Sequence, residues 1–111
     1  MSDLFAIGIS HKTAPLELRE RLALTEGRAA GVLSDLRASE QVSEAAAIST
    51  CNRTELYLVV SDPVEAENVA LGALSRQAGI RPTELVESLY SHRGIEAARH
   101  LFRVASIPRW E

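Results

Sequence analysis

A single cysteine, Cys51, stands between Thr50 and the pair Asn52 and Arg53, at a bend between two runs of strand-forming residues. A thiol at a strand end reaches solvent, and a nearby guanidinium favours the thiolate, the form that attacks a carbonyl carbon. The opposing reading of a lone cysteine is a small buried hydrophobe. Thr50, Asn52, Arg53 and Thr54 make a poor lining for an apolar hole, so the residues by themselves leave the two readings level. Arg53 suits either a carboxylate ligand or a neighbouring surface acid.

His100 lies in a helical stretch whose apolar stripe is Ile95, Ala98, Leu101, Phe102 and Ala105. An advance of about 100° per residue turns His100 away from that stripe, beside Ala97 and Val104. It is either an edge histidine or one turned into a cleft as acid, orienting group or substrate contact. His11 and His92 close two strand segments, and no spacing pairs them with Cys51, so both read as surface residues. The three histidines show no His-x-x-x-His or comparable pair, which argues against a metal centre. Neither G-x-G-x-x-G nor G-x-x-x-x-G-K-[ST] occurs, so no loop for a nucleotide phosphate is visible. The acids Glu17, Glu20, Glu55, Glu65 and Glu67 read as solvated faces.

The elements that must position these side chains follow from periodicity. Leu4 to Ser10 is a short, mostly apolar run that reads as a strand, closed by His11, Lys12 and Thr13. Pro15 opens a short charged helix through Leu16, Leu18 and Leu22, and Thr25 caps another from about Glu26 to Ser39 on Ala29, Leu33 and Leu36. Ala45 to Thr50 and Thr54 to Val60 are two strands flanking Cys51, with Leu56, Leu58 and Val60 on one face of the second. Asp62-Pro63 interrupts the pattern, and Val64 to Ala78 is helical through Ala66, Val69, Ala70, Ala73 and Leu74, with Gly79 just past its end. Pro82 and Thr83 start a turn of helix, Ser88 to His92 is a last strand, and Gly94 precedes a helix over Ile95 to Ser106. The two middle strands are joined too closely for a crossover, so this order predicts an α+β fold and not a parallel sheet.

Composition bounds the rest. The 111 residues carry 12 Lys+Arg against 15 Asp+Glu, a formal net charge of −3, and 46% are hydrophobic but only 5% aromatic. That suits one small domain with an aliphatic core, and it lacks the footprint of a protein that binds chiefly by phosphate neutralisation. One cysteine allows neither an internal disulfide framework nor a Cys-x-x-Cys site. No basic amino-terminal region and no long apolar stretch occurs, which makes the cytoplasm the default compartment.

Three blocks, Gly8-Ile9-Ser10-His11-Lys12-Thr13-Ala14-Pro15, Ile48 to Tyr57, and His100-Leu101-Phe102-Arg103-Val104-Ala105-Ser106, resemble in order the N-terminal catalytic domain of glutamyl-tRNA reductase. The resemblance implies a ferredoxin-like β-α-β-β-α-β sandwich with additional helices, spanning residues 1–106. It implies Cys51 as nucleophile, Thr50, Asn52 and Arg53 as the strip that holds the glutamyl group, and His100 as a residue important for activity. In that family NADPH reduces the glutamyl ester of charged tRNA to glutamate-1-semialdehyde in tetrapyrrole synthesis, through a thioester on the cysteine. The family functions as a homodimer, through a region with no counterpart in these residues.

Residues 107–111 depart from the family pattern, with Trp110 where the family has a serine near the substrate. Nothing in the sequence is expected to bind NADPH, so the chain is expected to acylate Cys51 but not to reduce the product. A reading from a different class is a regulatory module that binds haem or a partner protein, with Cys51 and the histidines as conceivable axial ligands.

Overall fold

The computed structural model describes residues 2–106, so the tail expectation for 107–111 lies outside the described residues. Four strands, β1 (Asp3–Ser10), β2 (Val42–Ser49), β3 (Arg53–Val60) and β4 (Tyr90–Arg93), form one sheet in the order β2-β3-β1-β4. Every neighbouring pair is antiparallel. With helices α1 (Leu16–Leu22) and α2 (Glu26–Arg37) before the hairpin and α3 (Pro63–Ala78) and α4 (Pro82–Leu85) after it, this is the ferredoxin-like topology. A final helix, α5 (Ile95–Ala105), is the addition.

The two faces of the sheet differ because β1 alternates large and small residues. Phe5, Ile7 and Ile9 point to one side and join Leu56, Leu58 and Val60 of β3 under α1 to α4, with Leu22, Val32, Leu36, Ala70, Leu74 and Leu85 completing the main core. Ala6, Gly8 and Ser10 occupy the other side. There the apolar packing is small, with Ala6, Tyr57 and Ala97 at its centre and Leu4, Ile48 and Leu101 around it.

Helix ends follow the sequence signals. Thr25 accepts from the Arg28 amide, and Asp62 accepts from the Val64 and Glu65 amides. Pro63 is thus the first residue of α3 and starts it, as a missing N–H costs nothing there. Gly79 closes α3 in the left-handed conformation (φ 67°), and Arg21 of α1 donates to the carbonyls of Ala78 and Gly79 at 2.9 Å, supplying donors to that helix end.

Two expectations are displaced. Strand β2 starts earlier, at Val42, and releases Thr50 to the turn, while Val86–Ser88 is a 3-10 turn that delays β4 to Tyr90. Helix α5 is rotated from its expected orientation. Ala97 is fully buried, whereas Ile95 and Phe102 of the expected core stripe are 67% and 74% exposed. Ala97 and Leu101 pack with Ala6 and Tyr57, and His100 of the same helix bonds Glu55.

Candidate functional site

Cys51 sits at the tip of the β2–β3 hairpin, and its side chain is exposed. That removes the reading of a buried structural thiol. The hairpin closes with Thr50 N–H donating to the Arg53 carbonyl at 2.8 Å, and Asn52 N–H donates to Thr50 Oγ1 at 3.2 Å. Neighbouring elements fix the tip: His11 N–H donates to the Asn52 carbonyl at 2.8 Å, and Arg19 Nη1 donates to the Cys51 carbonyl at 3.2 Å. Beneath it, the Leu24 amide donates to Ser49 Oγ, Ser49 pairs with Thr54 Oγ1, and Thr54 Oγ1 donates to the Leu22 carbonyl. The thiol is therefore accessible on a backbone that is held from three sides.

Behind the hairpin lies a residue that the sequence reading misplaced. Glu55 is not solvated; its side chain is 1% exposed. Tyr57 donates its hydroxyl to Glu55 Oε1 at 2.9 Å, and Tyr90 and His100 Nε2 both bond Glu55 Oε2. Arg53 Nη1 stands 3.7 Å from the same oxygen. A buried carboxylate is tolerable when paired and hydrogen-bonded, and here phenols, an imidazole and a guanidinium surround it. The other four acids stay at least partly exposed, as expected.

Gly8 makes this convergence geometrically available. It is the central-strand partner of both Glu55 on β3 and Tyr90 on β4. A Cβ there would stand 2.3 Å from the Thr54 carbonyl oxygen and 2.9 Å from Glu55 Cα and Cγ. With no side chain on β1, Glu55 and Tyr90 meet across it. Sequence reasoning overlooked this cluster, although the small Ala6 and Gly8 facing the large Glu55, Tyr57 and Tyr90 was the available signal.

The electrostatics follow from burial. Loss of hydration first, and the bond to Glu55 second, push the Tyr57 and Tyr90 hydroxyls far above the usual phenol range, so both stay protonated donors. His92, read from the sequence as a surface residue, also faces inward, its ring centroid 4.5 Å from that of His100. Burial, then the nearness of the His100 imidazole, lower its pKa from 6.5 and favour the neutral ring.

His100 and His92 line a cleft of about 440 Å³, together with His11, Lys12, Arg53 and Arg103. His100 is thus turned into a cleft and not left at an edge. Its Nε2 is committed to Glu55, so Nδ1 is the ring nitrogen left for other contacts. Thr50 and Asn52 lie at the hairpin tip on either side of Cys51, joined by the bond from Asn52 N–H to Thr50 Oγ1. Among the described residues no group of three His, Cys, Asp or Glu side chains could hold a metal ion, and no helix is long and apolar enough to cross a membrane.

Fold and site together define a ferredoxin-like α+β domain that presents an exposed thiol at a hairpin tip, two residues before an Arg53 that lines a cleft with Lys12, Arg103 and three histidines. Residues 7–107 match the family model described as the N-terminal domain of glutamyl-tRNA(Glu) reductase, and the chain belongs to that family. It is 45% identical over 103 residues to the glutamyl-tRNA reductase of Solibacter usitatus and 48% identical over 103 residues to that of Chromohalobacter salexigens. Each match covers 93% of this chain and 24% of the relative, so the chain spans about a quarter of their length. Glutamyl-tRNA reductase from Methanopyrus kandleri superposes with a TM-score of 0.68 at 31% identity, covering 96% of this chain and 23% of that one. The family is one of oxidoreductases.

Proposed function

We propose that this domain binds the glutamyl group of glutamyl-tRNA and takes it onto Cys51 as a thioester, in the cytoplasm, where a lone thiol stays reduced. The observation that carries the reading is the exposed Cys51 on a fixed hairpin tip, two residues before an Arg53 held at 3.7 Å from the buried Glu55. The Cys51 thiolate attacks the ester carbonyl carbon, an S–C bond forms, and the C–O bond to the terminal ribose breaks. The ribose oxygen leaves, takes up a proton, and uncharged tRNA departs. No electrons are exchanged with an outside carrier in this step.

Arg53 offers the side-chain carboxylate of the glutamyl group a charge-assisted partner. Glu55 fixes Arg53 and His100 at one oxygen, so both face the cleft without reorganising when substrate arrives. Thr50 and Asn52 flank the thiol and complete the strip that holds the glutamyl group, with Thr50 Oγ1 accepting from the Asn52 amide to hold the tip.

The family activity implies NADPH. The described residues do not fit it: a wholly antiparallel sheet lacks the strand, Gly-rich turn and helix that seat a dinucleotide pyrophosphate. No hydride step is assigned to this domain, and by this reading it stops at the thioester. Any family homodimer would likewise rest on parts of the relatives outside this domain.

Mixing the protein with tRNA charged with radiolabelled glutamate tests the reading. Protein-bound label that hydroxylamine releases, and that Cys51→Ser does not acquire, is expected. Wild-type protein that stays unlabelled, or Cys51→Ser protein that labels equally, contradicts it.

A further inference from the structure

Two arginines stand at the hairpin tip, and they serve different groups. Arg53 is directed at the buried Glu55. Arg19, in α1, is bonded instead to the residue that carries the thiol: Nη1 donates to the Cys51 carbonyl and Nε to the Ala14 carbonyl, both at 3.2 Å. Arg19 is half-buried and pairs with no carboxylate among the described residues. Its donors are therefore spent on backbone. Hydrogen bonds from a charged donor are stronger than those between neutral groups, and a guanidinium presents its N–H groups in a planar fork of fixed geometry.

The two carbonyls belong to backbone that is otherwise separate. Ala14 ends a loop closed on Ser10, whose carbonyl accepts from the Thr13 and Ala14 amides and whose own amide donates to Thr13 Oγ1. The peptide that joins Cys51 to Asn52 is held at both ends, its carbonyl by Arg19 and its N–H by Thr50 Oγ1 at 3.2 Å. Of these two partners only Arg19 lies outside the hairpin. Without it the peptide after Cys51 is anchored to a hydroxyl that moves with the tip, and the sulfur loses its fixed relation to the β1–α1 loop.

We propose that Arg19 is a positioning residue for acyl transfer, its guanidinium fork fixing the peptide after Cys51 so that the sulfur meets the ester carbonyl of bound substrate in the geometry of attack. This rests on the thioester reading. The bonds made and broken are those given above, and Arg19 donates no proton to them; it acts through Cys51. Loss of orientation slows the reaction of the bound complex and leaves its formation unchanged. A lysine at this position keeps the charge, but its single nitrogen does not reproduce a fork that spans two carbonyls.

Single-turnover acylation of the 111-residue protein over a range of glutamyl-tRNA concentrations tests this, with iodoacetamide alkylation of Cys51 and thermal unfolding measured on the same samples. Arg21 is the matched control, because it lies on the same helix and also donates to two carbonyls, but to those of Ala78 and Gly79 at the end of α3. Arg19→Ala should lower the limiting acylation rate at least about tenfold, with the half-saturating RNA concentration and the alkylation rate near those of the wild type. Arg19→Lys should recover little of that rate. Guanidinium chloride, at concentrations that leave the protein folded, should restore part of it to Arg19→Ala where sodium chloride does not. Arg21→Ala should unfold at a lower temperature and still be acylated at the wild-type rate. Wild-type speed in Arg19→Ala overturns the proposal, and full speed in Arg19→Lys overturns the fork in favour of charge alone. Acylation that falls with thermal stability in both Arg19→Ala and Arg21→Ala reduces Arg19 to a structural residue, and a raised half-saturating concentration at an unchanged limiting rate moves it to RNA binding. A wild type that takes up no glutamyl group removes the thioester reading and this inference with it, whereas a labelled wild type matched by Arg19→Ala removes this inference alone.

Discussion

Glu55 is the residue on which the site turns, and it was the one the sequence concealed. An acid next to Leu56, Leu58 and Val60 on an alternating strand reads as the solvated face of a half-buried sheet. That holds only when the second face is bare, and here α5 and two tyrosines cover it. The polar bend at Cys51 left the exposed and buried readings of the thiol level, and the folded hairpin exposes it. His92 was not legible, since its relation to His100 exists only after β4 and α5 are packed together.

The cluster has a spectroscopic consequence. Tyr57 and Tyr90 are the protein's two tyrosines, and desolvation with the Glu55 bonds raises both above the ordinary value of 10.0. The folded state therefore favours their neutral forms. The stability this provides is fully present below about pH 10 and is lost as the pH rises beyond it, because the unfolded chain releases these protons first. In an alkaline titration, phenolate absorbance should rise only together with loss of the native circular dichroism spectrum. Smooth ionisation near pH 10 in a still-folded protein would contradict the buried cluster.

Strand β1 links the core to the site, since one face of it packs aliphatic side chains and the other makes room. Its apolar character was readable, but the meaning of Ala6 and Gly8 depended on which strands flank it, and the β2-β3-β1-β4 order is set by long-range pairing. Gly8→Ala drives a methyl group into the Thr54 carbonyl and the Glu55 backbone, which cannot move without breaking the β1–β3 ladder. We expect a loss of about 2–3 kcal/mol in urea denaturation. Gly31→Ala serves as the opposite control, since it lies on the exposed side of α2 with nothing within 4 Å of the added carbon. It should stabilise by about 0.5–1 kcal/mol through helix propensity and the unfolded chain. Equal effects of the two would remove Gly8 from its role.

Helix α5 shows the limit of periodicity. Its apolar stripe is the most regular in the sequence, yet Ile95 and Phe102 face outward and Ala97, His100 and Leu101 face the sheet. A periodic stripe says that a face will be covered, whereas the shape of the available surface decides which face goes inward. Ala97 and Leu101 pack on the side of Ala6 and Tyr57, and His100 reaches Glu55 beside Gly8, so the partners on the sheet and not the stripe set the rotation of the helix.

Across the whole molecule, the α+β order was legible because hairpin spacing and helix caps are local, and the ferredoxin-like arrangement came with the family resemblance. Charge shows the same division. A net charge of −3 speaks against nucleic-acid binding in bulk, but it averages over a surface whose cleft is lined only by cations, imidazoles and neutral side chains. That concentration arises when the β1–α1 loop, the start of β3, β4 and α5 are brought together.

The claim that joins these levels is that a fixed, exposed Cys51 is acylated beside an Arg53 and a His100 held by Glu55. Peptide-level mass spectrometry after brief exposure to glutamyl-tRNA tests it most directly, comparing wild type with Glu55→Gln and using the iodoacetamide rate of Cys51 as an internal measure of thiol access. We expect a glutamyl group on the Cys51 sulfur of the wild type, and acylation slowed by about a hundredfold in Glu55→Gln, whose alkylation rate stays near normal. A glutamyl adduct on another residue, or a Glu55→Gln protein acylated as fast as the wild type, would contradict it.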